Sequence, residues 1–297
     1  MKIIVSHCRC AAFTLVEIAL ALAIIGFALV AIIGVLPFGL NVQRENREET
    51  IIVQDANYLL DAIRNGARGL DDLTNYVDGI TNYRSVYQVT PTSTNRTDGP
   101  DEFAYTVNQA WVNGGTEPQN VITNGERIIG LLSTPRYEYF HPDGSWRPYR
   151  AENFPREYTM RSNYVIAYIR ALSGPAIEKS PQTNVVVRDL SLRYRLIPEI
   201  APFENWNLDW VDFNAPGLSQ EEVLTRSNAW RIARQQQMNT HEVRLLFRWP
   251  VTARGIGNQR QVFRTIVSGN LVEVPPATND MSHSTWLMQP AVYTALQ

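Results

Sequence analysis

Cysteine and lysine are the scarce residues of this 297-residue chain. Its two cysteines, Cys8 and Cys10, both stand near the N-terminus, so no disulfide staples the body in any redox compartment. Cys8-Arg9-Cys10 lacks the second ligand pair of a zinc site, and a lipid-attachment cysteine follows an apolar stretch rather than preceding it. All the basic residues except Lys2 and Lys179 are arginine, which stays charged at any working pH and pairs bidentately with carboxylates. A net charge of −2 supplies no electrostatic drive toward phosphate, so no nucleic-acid partner is expected. With 44% hydrophobic and 19% charged residues, the chain is neither disordered nor collagenous. Catalytic signatures are also missing: there is no P-loop, GxSxG, HExxH, GxGxxG or CxxC pair, and His7, His141, His241 and His283 are scattered. These absences argue against an enzyme.

One long apolar run stands out. From Phe13 to Leu40 the only polar side chains are Thr14 and Glu17. As a helix, Phe13 to Leu36 rises about 36 Å, against a hydrocarbon core of about 30 Å. A secretory signal has a shorter apolar core and a small-x-small cleavage site, whereas this run ends in Leu36-Pro37-Phe38-Gly39-Leu40. A plain signal anchor accounts for the length and for Lys2 and Arg9, yet leaves Glu17 unexplained. A lone carboxylate inside such a segment costs about 3 kcal/mol even on the mildest insertion scale.

The hexapeptide Ala12-Phe13-Thr14-Leu15-Val16-Glu17, behind a short basic leader and ahead of an unbroken apolar helix, resembles the type IV prepilin signature. That resemblance implies cleavage between Ala12 and Phe13 by a prepilin peptidase and N-methylation of Phe13. Residues 1–12 then form a removable leader that takes both cysteines with it. The residue before the cut is usually Gly in that family, so Ala12 departs from the pattern. Cleavage creates an α-ammonium at Phe13, and Glu17 lies four residues along on the same helical face. The carboxylate thereby gains a cationic partner, within one turn or on an adjacent subunit, and lies at the positive end of the helix dipole. A Glu that snorkels to the headgroups is the plainer alternative. Ala19, Ala23, Gly26 and Gly34 give stripes compatible with close helix approach.

Pro37 and Gly39 are expected to interrupt the helix, because Pro lacks a donor and clashes with the preceding turn. Residues 13–40 thus form a transmembrane and assembly helix. In residues 41–66, Ile52, Ala56, Leu59, Leu60 and Ile63 make one apolar stripe, with Arg44, Glu45, Arg47, Glu48, Asp55 and Asp61 elsewhere around the helix, closing near Gly66.

Residues 67–297 read as a β-rich body. Candidate strands are 85–89, 103–107, 127–132, 136–140, 164–170, 185–196, 242–249 and 261–267, separated by turn-forming clusters. A helix is expected from Gln220 to about Met238, since Ser219 and Glu222 make a capping box. The clearest hairpin alternates Val243, Leu245, Phe247 and Trp249 with Arg244 and Arg248, and Pro250 should end its first strand. Its segments Phe247-Arg248-Trp249-Pro250 and Gln259 to Thr265 resemble the Verru_Chthon cassette prepilin-like proteins. The class is α+β with a mainly antiparallel sheet; the prepilin resemblance implies the ladle shape of pilins, with the amphipathic helix packed on that sheet.

Other side chains read more blandly. Asp98, Asp101 and Glu102 in a Gly/Pro loop, and Asp209 with Asp212, lack EF-hand spacing and are ordinary turn acids, so neither a metal nor a cofactor is expected. Trp206, Trp210, Phe213 and Trp230 are plugs for a β layer ahead of a sticky loop. Arg193, Arg195, Arg244 and Arg248 share a face on which Asp189 and Glu242 also fall, which favours ion pairing. The resemblance implies a minor pilin or pseudopilin-like subunit of a type IV pilus or type II secretion-like filament. Its partners are then the prepilin peptidase, other pilin or pseudopilin subunits and the inner membrane, with the body periplasmic. The other reading is a single-pass, membrane-anchored binding domain that never polymerises.

In a host with prepilin peptidase, mass spectrometry is expected to find N-methylated Phe13 at the mature terminus. An intact Met1, or a cut near Gly39, would refute the processing.

Overall fold

A computed structural model of the chain describes residues 14–66, 69–107, 120–149, 157–173, 191–203, 217–275, 284–290 and 292–294. Its residues divide into two compact units, 1–50 and 51–297.

The first unit is the N-terminal part of one helix, α1, Leu15–Arg64. Every side chain from Thr14 to Asn46 is exposed, and the most apolar stretch has a mean hydropathy of 3.0 with nothing buried. A helix apolar all round matches a lipid environment in length and composition. It runs through Pro37 and Gly39 without a break, contrary to the interruption expected there. Pro37 removes one i→i−4 bond, and the remaining bonds of the 50-residue helix keep the ladder going, as in other long apolar helices with a proline.

In the second unit the helix changes character. Ile52, Asp55, Ala56, Leu59, Ala62 and Ile63 turn to the interior, leaving Leu60 half-buried, and the helix ends ahead of Gly66 at φ +54°. That stripe joins one hydrophobic cluster with the inner face of a large sheet.

The sheet contains β1 (Val77–Val89), β2 (Thr94–Val107), β3 (Val121–Ile122), β4 (Tyr137–Phe140), β5 (Trp146–Arg147), β6 (Tyr158–Arg170), β7 (Arg193–Pro202), β8 (Thr240–Thr252) and β9 (Gly255–Ser268). Its main order is β3-β2-β1-β6-β7-β8-β9, and every pairing except β2 with β3 is antiparallel. A smaller sheet pairs β10 (Asn270–Val274) with β11 (Thr285–Gln289), two strands not anticipated from the sequence. The strict alternation of burial along β8 puts Val243, Leu245, Phe247 and Trp249 inside and Arg244 and Arg248 outside, as the pattern demands. The class is α+β.

Several boundaries differ from expectation. Residues 127–132 are not a strand but part of helix α2, Gly125–Leu132, capped by the Asn124 side chain accepting from the Arg127 N–H at 2.8 Å. Asn124 and Glu126 are a helix start, and a short Ile/Leu run has no period of its own to distinguish strand from helix. Gly125 is required there, because a Cβ would fall 2.0 Å from the Leu70 carbonyl oxygen. β8 passes through Pro250, where a register shift between Trp249 and Val251 absorbs the missing N–H. Asp98, Asp101 and Glu102 lie in β2 rather than in a loop. β7 extends to Pro202, and residues 185–190 lie outside the described residues. Helix α3, Gln220–Asn239, has the anticipated Ser219–Glu222 capping box, with Ser219 N–H to Glu222 Oε2 at 2.9 Å.

Phe247→Ala is expected to lower unfolding free energy by about 3–5 kcal/mol, because Phe247 is fully buried between Tyr194 and Phe263. Arg254→Ala in the exposed β8–β9 turn should stay within about 0.5 kcal/mol. Denaturant unfolding of the detergent-solubilised chain checks both.

Candidate functional site

Ala12 and Phe13 lie outside the described residues, and the site begins at Thr14. Thr14 and Glu17 close a reciprocal cap. The Thr14 N–H and hydroxyl both donate to Glu17 Oε2 at 2.9 Å, and the Glu17 N–H donates to Thr14 Oγ1 at 3.3 Å. Ile18 N–H donates to the Thr14 carbonyl at 3.1 Å and starts the ladder. Thr-x-x-Glu is a capping-box spacing, and this local role for Glu17 is a third reading beside docking charge and snorkelling. Both bonds from Thr14 fall on Oε2, and Oε1 makes none among the described residues. One carboxylate therefore caps the helix through one oxygen while presenting the other.

Along the following helix, Gly26, Gly34 and Gly39 have open space where a Cβ would stand. The surface offered there is wholly aliphatic and aromatic, including Leu22, Ile25, Phe27, Ile33 and Phe38. Such a surface binds lipid or other apolar helices, and has no chemistry for covalent catalysis.

The body holds a second carboxylate on α1. Asp55 was expected on the polar side of the helix, but is 1% exposed. It accepts the Leu172 N–H at 2.8 Å and the Ser173 hydroxyl at 2.7 Å, and it faces the fully buried Tyr194 phenol. Burial is the larger effect and raises its pKa from 3.8 to about 6, against the hydrogen bonds that lower it. Burial, and next the neighbouring Asp55, push the Tyr194 phenol well above its usual range. Beside them is a half-open cavity of about 350 Å³ lined by Asp55, Tyr58, Asp72, Tyr76 and Ser173. Periodicity could not find Asp55, because its acceptors' partners come from residues 172–173.

A third polar group is also buried without warning in the sequence. Glu138 on β4 is fully buried, ion-paired to Arg161 Nε and accepting the Trp286 indole N–H at 2.8 Å. The Arg161 guanidinium lies 4.4 Å from the Trp146 ring centroid. Glu273, bonded by the Ser284 hydroxyl, has its carboxyl raised chiefly by burial. Three strands and the small sheet meet on these charges, which makes the group a structural tie.

The arginine face is partly ion-paired. Arg244 meets Glu242 at 2.6 Å and Glu199 at 3.5 Å, and Arg193 Nε lies 3.8 Å from Asp78. Asp209, Asp212, Trp206, Trp210 and Phe213 lie outside the described residues, and Trp230 is half-buried on α3. His141 Nε2 donates to the Tyr149 carbonyl oxygen at 2.8 Å, and burial pushes His241 down to about 4. Among the described residues no group of three or more His, Cys, Asp or Glu is placed to hold a metal ion. Comparison with protein-family models, curated proteins and solved structures finds no match to this chain.

Asp55 gives a pH signature. Its folded pKa is raised, so the folded state holds the proton more tightly than the unfolded chain between pH 3.8 and about 6. Stability is therefore lost as pH rises through that window, by about 3 kcal/mol for this group. Above it, the ionised buried carboxylate remains as a standing penalty. The stability difference between wild type and Asp55→Asn, followed by denaturant midpoints, should shift in favour of the variant from pH 4 to pH 6. A difference independent of pH would place Asp55 in water.

Proposed function

We propose that this chain is a minor pilin or pseudopilin-like subunit, cut and N-methylated at Phe13 and stored in the inner membrane before assembly into a type IV pilus or type II secretion-like filament. The observation that carries the reading is the apolar run from Phe13 to Leu40, whose one charge, Glu17, stands in the first turn of α1. An anchor alone uses that carboxylate only as a cap. A processed terminus gives it a cation to meet, and among the described residues Oε1 makes no hydrogen bond. An α-ammonium four residues before it, or on the next subunit, turns an intramembrane liability into a docking contact. Lys2 and Arg9 ahead of the span favour a cytoplasmic N-terminus and a periplasmic body. The cysteine-free body folds there without disulfide catalysis. Its large sheet and long connections suit an accessory or tip subunit, because bulk opposes dense repetition.

The cap shapes the test. Glu17→Ala removes both the charge and the capping hydrogen bonds, whereas Glu17→Gln keeps a side chain that serves at the same cap position. Both variants should remain in the membrane at wild-type abundance or above, since an intramembrane carboxylate disfavours insertion. Both should fall more than tenfold in sheared filaments, because docking would bury the Phe13 ammonium unpaired, a loss of about 3–5 kcal/mol. If only Glu17→Ala falls, the residue is a cap and nothing more. Equal recovery for all three chains supports the anchored binding domain that does not polymerise.

A further inference from the structure

The two long edges of the main sheet differ in charge. Edge strand β9 carries Arg260 and Arg264, both exposed, and no acid. Edge strand β2 carries Asp98, Asp101 and Glu102, all exposed, against the single Arg96. β3 covers only Thr106 and Val107 of that edge. Among the described residues, none of these three acids, nor Arg260 or Arg264, has an ion-pair partner within 4 Å. Just inside β9 the crowding is worse. Arg264 lies directly across from Arg244, and Arg260 across from Arg248, which in turn faces Arg195 on β7. Like charges placed opposite each other on neighbouring strands are destabilising. Glu199 and Glu242 serve Arg244, so among the described residues the row Arg195–Arg248–Arg260 has no acid within ion-pair distance.

We propose that the β9 edge docks on the β2 edge of a second copy of this chain, continuing the sheet from one subunit to the next. Strand direction permits it. In the order β2-β1-β6-β7-β8-β9 every neighbour is antiparallel, so the first and last strands run in opposite directions. A copy displaced sideways without rotation then meets β9 with an antiparallel β2, and the core faces stay on the same side. Pro100 donates no N–H, so the stretch of β2 that pairs is Asp101 to Tyr105. Glu102 points to the outer face there, opposite Tyr83 and away from buried Tyr105, as Arg260 and Arg264 do on β9. Charge selects the partner edge: β9 against β9 and β2 against β2 both repel, while β9 against β2 attracts. The contact joins two different surfaces and extends as an open series unless a rotation closes it. It deepens the filament-subunit reading and rests on it.

Cross-linking of the full chain in detergent tests the contact, with Cys8→Ser and Cys10→Ser removing the native thiols. A chain carrying Val262→Cys is mixed with one carrying Ala104→Cys under mild oxidation, two exposed positions that lie opposite each other when Arg264 faces Glu102. The mixture should give a disulfide-linked dimer at least tenfold faster than either chain alone, and raising salt from about 0.05 to about 0.5 M should slow it. Adding Arg264→Glu to the first chain should abolish the product, and adding Glu102→Arg to the second should restore it. The restoration shows that both variants are folded. Cross-linking no faster in the mixture than in the separate chains, or indifferent to the reversals, overturns the proposal. The readout needs no filament, so it fails or succeeds independently of the Glu17 experiment.

Discussion

Ile52, Ala56, Leu59 and Ile63 leave water together on one stripe of α1, and a stripe of that width has to be met by a second apolar surface of similar extent. The inner face of the antiparallel sheet meets it, with Val165, Ala167, Ile169, Tyr194, Leu196, Val243, Leu245 and Phe247 in the same cluster. Each such side chain contributes about 1.5–3 kcal/mol on burial, and the cysteine-free body has no covalent alternative. The sheet's register follows from this contact, since a one-residue slip of β8 would exchange Phe247 for Arg248 at the core.

Two carboxylates on the same helix show how differently a charge can be accommodated. Glu17 is satisfied by its own first turn, through Thr14, and among the described residues its Oε1 makes no hydrogen bond. Asp55 is satisfied by a loop more than a hundred residues away in sequence, and burial still raises its pKa to about 6. The first arrangement leaves the group available to an incoming cation. The second locks helix to sheet and leaves a standing electrostatic penalty at neutral pH. Function, on the proposed reading, rests with the former and integrity with the latter.

Polar chemistry also divides across the sheet. On the inner side Glu138 ties the small sheet to the large one, ion-paired to Arg161 and accepting the Trp286 indole N–H. On the outer side the arginines of β7, β8 and β9 outnumber their acids and remain in contact with water. The buried charge of Glu138 is balanced within the chain. The exposed ones along the two edges are balanced only between chains, which is the physical basis of the edge-to-edge contact.

Local physics was sufficient for much of this protein. The apolar run from Phe13, the stripe ending at Ile63, the Ser219 cap, and the alternation of β8 all follow from patterns spanning fewer than about twenty-five residues. The Thr14–Glu17 cap was equally local and could have been read from the Thr-x-x-Glu spacing alone. Tertiary structure decided what no short window contains. It turned residues 127–132 into a helix against Leu70 and Thr285, carried β8 past Pro250, and buried Asp55 and Glu138 beside partners from remote segments. A short apolar run carries no period, a proline removes only one hydrogen bond from a long ladder, and a carboxylate's partners can come from anywhere in the chain. Those outcomes are set by which surfaces meet, and that is fixed only when the whole chain has folded.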